Sequence, residues 1–251
     1  MTAFTVIIPA RYGSLRFPGK PLALLQDKPM VVHVIRRAEE SGAQRVVVAT
    51  DDSRIRDVCA AFGKEAVMTR ADHRSGTDRL AEVVTRLQLD DAEIVVNVQG
   101  DEPLMPPEFI SRVAGELRRH RDAGIATLVT PLRETELLAD PNVVKVIRNR
   151  LGYALYFSRA PVPWDRESAG RPSGQLSECW RHLGIYAYRA AFLRGYPELE
   201  SPLIEQRESL EQLRALWHGV PIVTAEVAGD AGPGVDTPAD LARVEALLTR
   251  R

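Results

Sequence analysis

Phe4-Thr5-Val6-Ile7-Ile8-Pro9 runs straight into Ala10-Arg11-Tyr12-Gly13-Ser14-Leu15-Arg16-Phe17-Pro18-Gly19-Lys20-Pro21-Leu22. An apolar run of strand length therefore ends in a short loop, punctuated by glycine and proline, that carries three cations. Gly13 and Gly19 permit close backbone approach and Pro18 and Pro21 restrict the loop. Arg11, Arg16 and Lys20 reach phosphoryl oxygens from several sides. Position decides between this reading and a merely solvated basic loop. In open α/β sheets ligands bind beyond the carboxyl ends of the strands, and the loop begins at such an end. Two familiar phosphate devices are excluded. Five residues, not four, separate Gly13 from Gly19, and Pro21 stands where a P-loop needs a Ser or Thr hydroxyl. No G-x-G-x-x-G follows the first strand either.

Working outward, Pro29 opens a helix with Val31, Val34, Ile35 and Ala38 on one face, ending at Gly42. Strand 45–50 follows, then a helix capped within Asp51–Ser53 and stopped at Gly63, a strand at 65–68, and a helix carrying Leu80, Val83, Val84 and Leu87. Ile94-Val95-Val96-Asn97-Val98 is the next strand. This alternation predicts an α/β protein built on a doubly wound, mostly parallel sheet. After a helix near 107–119 the rhythm changes. Strands at 124–131, 143–148, 153–157 and 183–189 with irregular connections predict a mixed-sheet extension. The stretch 160–180, with Pro161, Pro163, Gly170, Pro172 and Gly174, reads as a long surface loop or flap. Strand 220–227 and a helix led by Thr237-Pro238, burying Leu241, Val244, Leu247 and Leu248, close the chain.

The 251 residues suffice for one large α/β domain. Thirty-three basic and thirty-four acidic side chains leave a net charge of −1, so no global field draws nucleic acid or an anionic membrane, and any anion site is local. The two cysteines, Cys59 and Cys179, make neither a disulfide scaffold nor a zinc motif. Cys59 shares an apolar face with Ile55, Val58 and Phe62 and is expected in the core. The amino terminus lacks signal-peptide organisation and no apolar run approaches membrane-spanning length, so a cytoplasmic protein is expected.

Two carboxylates invite a metal. Asp101, in Val98-Gln99-Gly100-Asp101-Glu102-Pro103, follows a strand and is expected to face the crevice of the basic loop. Asp236 precedes Thr237-Pro238, where serving the helix dipole is an equally good account. If the ligand is a nucleoside triphosphate, it brings about four negative charges, against three from the loop cations less two from the aspartates. A magnesium ion held between carboxylates and phosphates closes that deficit. His73-Arg74-Ser75-Gly76-Thr77-Asp78-Arg79 offers backbone amides at a helix start, suited to a base or phosphate, or simply a capped helix. Tyr156-Phe157-Ser158-Arg159 and Arg181-His182-Leu183-Gly184-Ile185-Tyr186 read as strand residues. Glu208, Glu211 and Gln212, beside Leu210, Leu213 and Trp217, read as the solvated edge of a helix.

Taken in order, the opening loop, His73–Arg79, Val-Asn-Val-Gln-Gly-Asp-Glu-Pro, Tyr-Phe-Ser-Arg and Glu208-Ser209-Leu210-Glu211-Gln212-Leu213-Arg214 resemble the 3-deoxy-manno-octulosonate (KDO) cytidylyltransferases, or CMP-KDO synthetases. The similarity spans essentially the whole chain. It implies one nucleotide-diphosphosugar-transferase domain over 1–251, with a nucleotide-binding half at about 1–120 and a sugar-binding and dimerisation part at about 121–220. It implies a homodimer, magnesium as cofactor, and CTP and KDO as substrates. Ala10, Arg11, Gly13, Ser14, Arg16 and Lys20 match the CTP-phosphate loop; Arg74, Ser75 and Gly76 the cytidine side; Asp101 and Asp236 the metal carboxylates. Gln99, Arg159, His182, Tyr186, Glu211 and Gln212 match the sugar-acid pocket, with Arg159 expected to meet the sugar carboxylate. Residues 164–178 match less clearly. The activity implied is transfer of CMP to the anomeric hydroxyl of KDO, a precursor step to lipopolysaccharide. The competing readings are a cytidylyltransferase for 8-amino-KDO or a sialic acid, and a non-catalytic nucleotide-binding regulator.

Overall fold

The computed structural model describes residues 3–14, 16–73, 75–166 and 178–249. Most of the 160–180 stretch expected to form a flap, namely 167–177, lies outside them.

Strand β1 (Thr5–Pro9) is followed by the basic loop, a single 3₁₀ turn at Lys20–Leu22, and a small hairpin of β2 (Leu24–Leu25) and β3 (Lys28–Pro29). Then come α1 (Met30–Glu40), β4 (Arg45–Thr50), α2 (Ser53–Ala61), β5 (Glu65–Met68), α3 (Gly76–Arg86), β6 (Ile94–Asn97) and α4 (Pro107–Arg119). The second half carries β7 (Ile125–Pro131), α5 (Thr135–Ala139), β8 (Lys145–Arg148), β9 (Ala154–Ser158), β10 (Trp180–Arg189) and α6 (Ala190–Gly195). After a 3₁₀ turn at Tyr196–Glu198 follow α7 (Leu203–Glu208), α8 (Gln212–Trp217), β11 (Ile222–Glu226) and α9 (Pro238–Thr249).

One nine-stranded sheet runs through both halves in the order β11-β7-β10-β6-β1-β4-β5, with β8 paired to β10 and β9 paired to β8. The pairs β1–β4, β1–β6, β4–β5 and β7–β11 are parallel; β10 enters antiparallel between β6 and β7. Alternate residues serve two cores. Val6, Ile8, Val96 and Val98 pack with α1 and α4, while Ile7, Val95 and Tyr188 pack with α3 and α6. Cys59 is fully buried, and burial pushes its thiol up to about 11, so it acts as a small apolar residue.

Two sequence expectations need correction. The polar stretch expected to form one helix edge breaks at Ser209, whose φ of 50° is left-handed, and Trp217 is 67% exposed rather than on a buried stripe. The turn between α7 and α8 instead directs Gln212 into the interior. On α9 only Val244 is fully buried; Leu241, Leu247 and Leu248 pack partly against Leu25, Met30, Leu104 and Val235, because the helix lies at the margin of the sheet.

Candidate active site

The cation loop closes on itself. Gly19 and Ser14 both donate their backbone N–H to the Tyr12 carbonyl, each at 2.9 Å. Gly19 has φ 72°, and a Cβ there would lie 2.9 Å from the Tyr12 ring, so this is the position that requires glycine. Gly13 has open space and no such demand. The Arg54 guanidinium lies 3.4 Å from the Tyr12 ring centroid, tying the loop to α2.

Folding brings the two aspartates onto one ammonium. Lys20 Nζ donates to Asp101 Oδ2 at 2.7 Å, to the Val235 carbonyl at 2.9 Å and to Asp236 Oδ1 at 3.2 Å. Its three protons are thereby all used. Arg16 adds a second cation, 3.1 Å from Asp236 Oδ2. The backbone supplies the register, since Val235 N–H donates to the Asp101 carbonyl at 2.8 Å. Helix α9 does not need Asp236 as a cap. Thr237 and Asp240 cap it reciprocally, with Thr237 N–H to Asp240 Oδ2 at 2.9 Å and Asp240 N–H to Thr237 Oγ1 at 3.2 Å. The Asp236 carboxylate is left to face the loop. Next to Asp101, burial together with the charges of Asp101 and Asp230 pushes Glu102 up to about 8.

Arg16, Lys20, Asp101 and Asp236 line a cavity of about 470 Å³ that also takes in Ala10, Arg11, Ser14, Ser75, Gly76 and Gln99. Its floor includes the amino end of α3, where Ser75 Oγ accepts from Asp78 N–H at 3.1 Å in a capping box. Buried Arg79 braces this end through Thr69 Oγ1 and Asp51 Oδ2. Arg74 lies outside the described residues.

A smaller cavity of about 220 Å³ opens beside the first and shares Gly76, Gln99 and Glu211 with it. Tyr186, Tyr188 and Phe192 stack successively along it and Phe192 meets Tyr196 edge to face, with centroids 5.8–6.0 Å apart. Strand β10 sets this wall: Tyr186 pairs across from Asn97 of β6, and a register shift between Leu183 and Tyr186 realigns the strand just before it. Thr127 Oγ1 meets the carbonyls of Leu183 and Ile185 at that irregularity, at 3.2 and 2.7 Å. Glu211 accepts from Thr77 Oγ1 at 2.9 Å, and burial raises its pKa. Three buried polar atoms of this cavity have no hydrogen-bond partner among the described residues: Asn97 Oδ1, Tyr196 OH and Gln212 Nε2.

A family model described as Cytidylyltransferase matches residues 5–222. The 3-deoxy-manno-octulosonate cytidylyltransferase of Alkalilimnicola ehrlichii is 60% identical over all of this chain and 98% of its own length. That of Halorhodospira halophila is 60% identical over 96% of this chain and 95% of its own. The chain belongs to the 3-deoxy-manno-octulosonate cytidylyltransferase family. A solved CMP:2-keto-3-deoxy-manno-octonic acid synthetase complexed with CTP superposes with a TM-score of 0.90 at 44% identity, covering 99% of each chain. A 4-diphosphocytidyl-2C-methyl-D-erythritol synthase, at 17% identity and TM-score 0.63, shares the fold.

For a member of the 3-deoxy-manno-octulosonate cytidylyltransferase family, the expected site residues fall into three groups. Ala10, Arg11, Ser14, Arg16, Lys20, Ser75, Asp101 and Asp236 line the larger cavity, Tyr186 and Gln212 the smaller, and Gly76, Gln99 and Glu211 both. Gly13, Arg159 and His182 line neither. Arg159 was expected to meet a sugar carboxylate, but its guanidinium donates to the carbonyls of Glu208 at 2.7 Å and Pro141 at 2.8 Å. Its backbone is pinned as well, with N–H on Glu208 Oε2 at 2.9 Å and its carbonyl on the ammonium of buried Lys145 at 2.6 Å. His182 packs between Phe157 and Tyr186 and shares a 2.8 Å hydrogen bond with Thr127 Oγ1. Sequence reasoning passed over Thr77, Asn97, Tyr188 and Tyr196. The signal for Asn97 is a lone amide ending an apolar strand; Tyr196 follows no motif.

Proposed function

We propose that this chain transfers CMP from CTP to the anomeric 2-hydroxyl of KDO and releases pyrophosphate, giving CMP-KDO for lipopolysaccharide synthesis. One observation carries the proposal. A cation-lined cavity and a polar, aromatic cavity meet at Gly76, Gln99 and Glu211, so a nucleotide in one touches a polyhydroxy acid in the other. Arg11 and Arg16 take the triphosphate, Lys20 joins them as its bonds to Asp101 and Asp236 give way to the phosphates, and the amino end of α3 takes the cytidine side. The sugar oxygen attacks the α-phosphorus in line. The new O–P bond forms as the bond to the pyrophosphate oxygen breaks, the electron pair leaves with pyrophosphate, and the hydroxyl proton passes to water. Catalysis rests on positioning and on cations that meet the charge of the leaving group.

Asp101 and Asp236 would hold magnesium. Hard carboxylate oxygens gathered beside a triphosphate cavity suit that ion, which commonly takes one or two protein carboxylates and completes its shell with phosphates and water. When bound, it neutralises phosphate charge and lowers the pKa of a coordinated hydroxyl. A homodimer and a cytoplasmic location, where CTP is available, complete the proposal. Edge strand β9, with Leu155 exposed, offers apolar surface for a partner copy.

Purified protein incubated with CTP and magnesium is expected to release pyrophosphate with KDO. Release with a sialic acid or 8-amino-KDO and none with KDO overturns the substrate assignment. Asp101→Asn is expected to lower kcat by about a hundredfold or more; unchanged turnover removes the metal assignment.

A further inference from the structure

Two stretches singled out in the sequence, Tyr156–Arg159 and Glu208–Arg214, meet at Glu208, which lines neither cavity. Its Oε1 accepts from Tyr156 OH at 3.2 Å and Ser158 Oγ at 2.7 Å, and its Oε2 from the Arg159 N–H at 2.9 Å. Burial alone would raise the Glu208 pKa, but these donors outweigh it and hold the carboxyl below its ordinary value, as an ionised acceptor. Arg159 returns the contact. Its Nε donates to the Glu208 carbonyl at 2.7 Å, and the rest of its guanidinium reaches the carbonyls of Pro141 at 2.8 Å and Ser209 at 3.5 Å. Fully buried Lys145 anchors the other side of Arg159. Its three protons go to the carbonyls of Arg159, Val143 and Asp140 at 2.6, 2.6 and 2.9 Å.

What this latch controls lies immediately downstream. Ser209 is left-handed, with φ 50° and ψ 50°, a conformation that a serine keeps only where its surroundings impose it. Residues 209–212 leave that turn as one wall of the smaller cavity, and Glu211 reaches the larger cavity as well. The Glu205–Arg214 ion pair, at 2.7 and 2.8 Å, closes the α7–α8 corner on itself. The Glu208 bonds are different in kind, because they tie the corner to the end of β9 and so to the main sheet. We propose that Glu208, with Arg159, is a positioning residue for the transfer: the latch sets the turn at Ser209 and thereby holds Glu211 at the junction of the two cavities and Gln212 beside it. This rests on the proposed CTP and KDO activity. A displacement of about 1 Å at groups that orient a substrate can cost about a hundredfold in rate, so a residue that touches no substrate can still govern turnover.

The test breaks the latch from either side. Glu208→Gln keeps the size of the side chain but leaves one acceptor oxygen where three donors converge, and Arg159→Lys replaces a planar fork with a point charge that cannot span the same carbonyls. Each is expected to raise the KM for KDO about tenfold or more while leaving the KM for CTP within about twofold, a split that misfolding does not produce. Urea midpoints verify the fold, and Arg159→Lys, the milder change, carries the test where Glu208→Gln does not fold. Because the latch acts through Glu211, adding Glu208→Gln to Glu211→Gln is expected to cost less than about twofold further in kcat/KM for KDO. An unchanged KM for KDO in the latch variants, a parallel rise in both KM values, or losses that multiply in the double variant overturns the inference. A loss confined to Arg159→Lys overturns it too, since that pattern means that Arg159 meets the sugar directly. Failure of the wild-type protein to use KDO at all overturns instead the activity on which the inference rests.

Discussion

His182 illustrates how burial sets the behaviour of a single side chain. It is enclosed between Phe157 and Tyr186, and burial holds its pKa down to about 3 against an ordinary 6.5. The unfolded chain takes up a proton below pH 6.5 while the folded chain does not, so its contribution is fully present above pH 6.5 and is lost as pH falls from there toward 3. This residue alone is expected to cost about 1.4 kcal/mol of stability per pH unit below its unfolded value. Urea unfolding between pH 7 and 5 checks it. His182→Gln is expected to flatten the slope, and an unchanged slope refutes the assignment. Site residues of this kind differ in how well they announce themselves. That Lys20 and Asp101 share one cavity was legible because the loop after β1 and the turn after β6 leave adjacent strand ends. His182 was legible as a strand residue, whereas Arg159 falls just past the end of β9; which partner each side chain meets depends on Glu208 and Thr127, far away in sequence.

At the scale of elements, the carboxyl ends of β1 and β6 form the seam on which the larger cavity stands. A Cβ on Gly100 would lie 2.7 Å from the Pro9 carbonyl oxygen, a backbone atom that has no rotamer to escape by. Gly100→Ala is therefore expected to destabilise the fold by about 1–3 kcal/mol and to raise the KM for CTP, because the strand ends must part. Denaturant midpoints and CTP titration check both effects, and wild-type values for the two would show that the seam yields. The strands themselves were readable, since Val6-Ile7-Ile8 and Ile94-Val95-Val96 are buried on both faces and so uniformly apolar. The break between α7 and α8 was not. Ser209 adopts a left-handed backbone without being Gly or Asn, and nothing local distinguishes it from a helical serine.

At the scale of the molecule, the two halves expected at about 1–120 and 121–220 share one sheet, with β10 hydrogen-bonded to β6 on one side and β7 on the other. Fragment 1–120 lacks β10 and leaves β6 as an open edge. It is expected to show no cooperative urea transition by circular dichroism, and a sharp one would mean that the first half stands alone.

The central place of β10 also bears on synthesis. A ribosome making about 5–20 residues per second translates residues 98–179 between finishing β6 and starting β10, leaving an unzipped apolar seam in the nascent chain for seconds. The polypeptide is thus most vulnerable to sticking to its neighbours late in translation, and a chaperone has the most to protect just before residue 189 clears the exit tunnel.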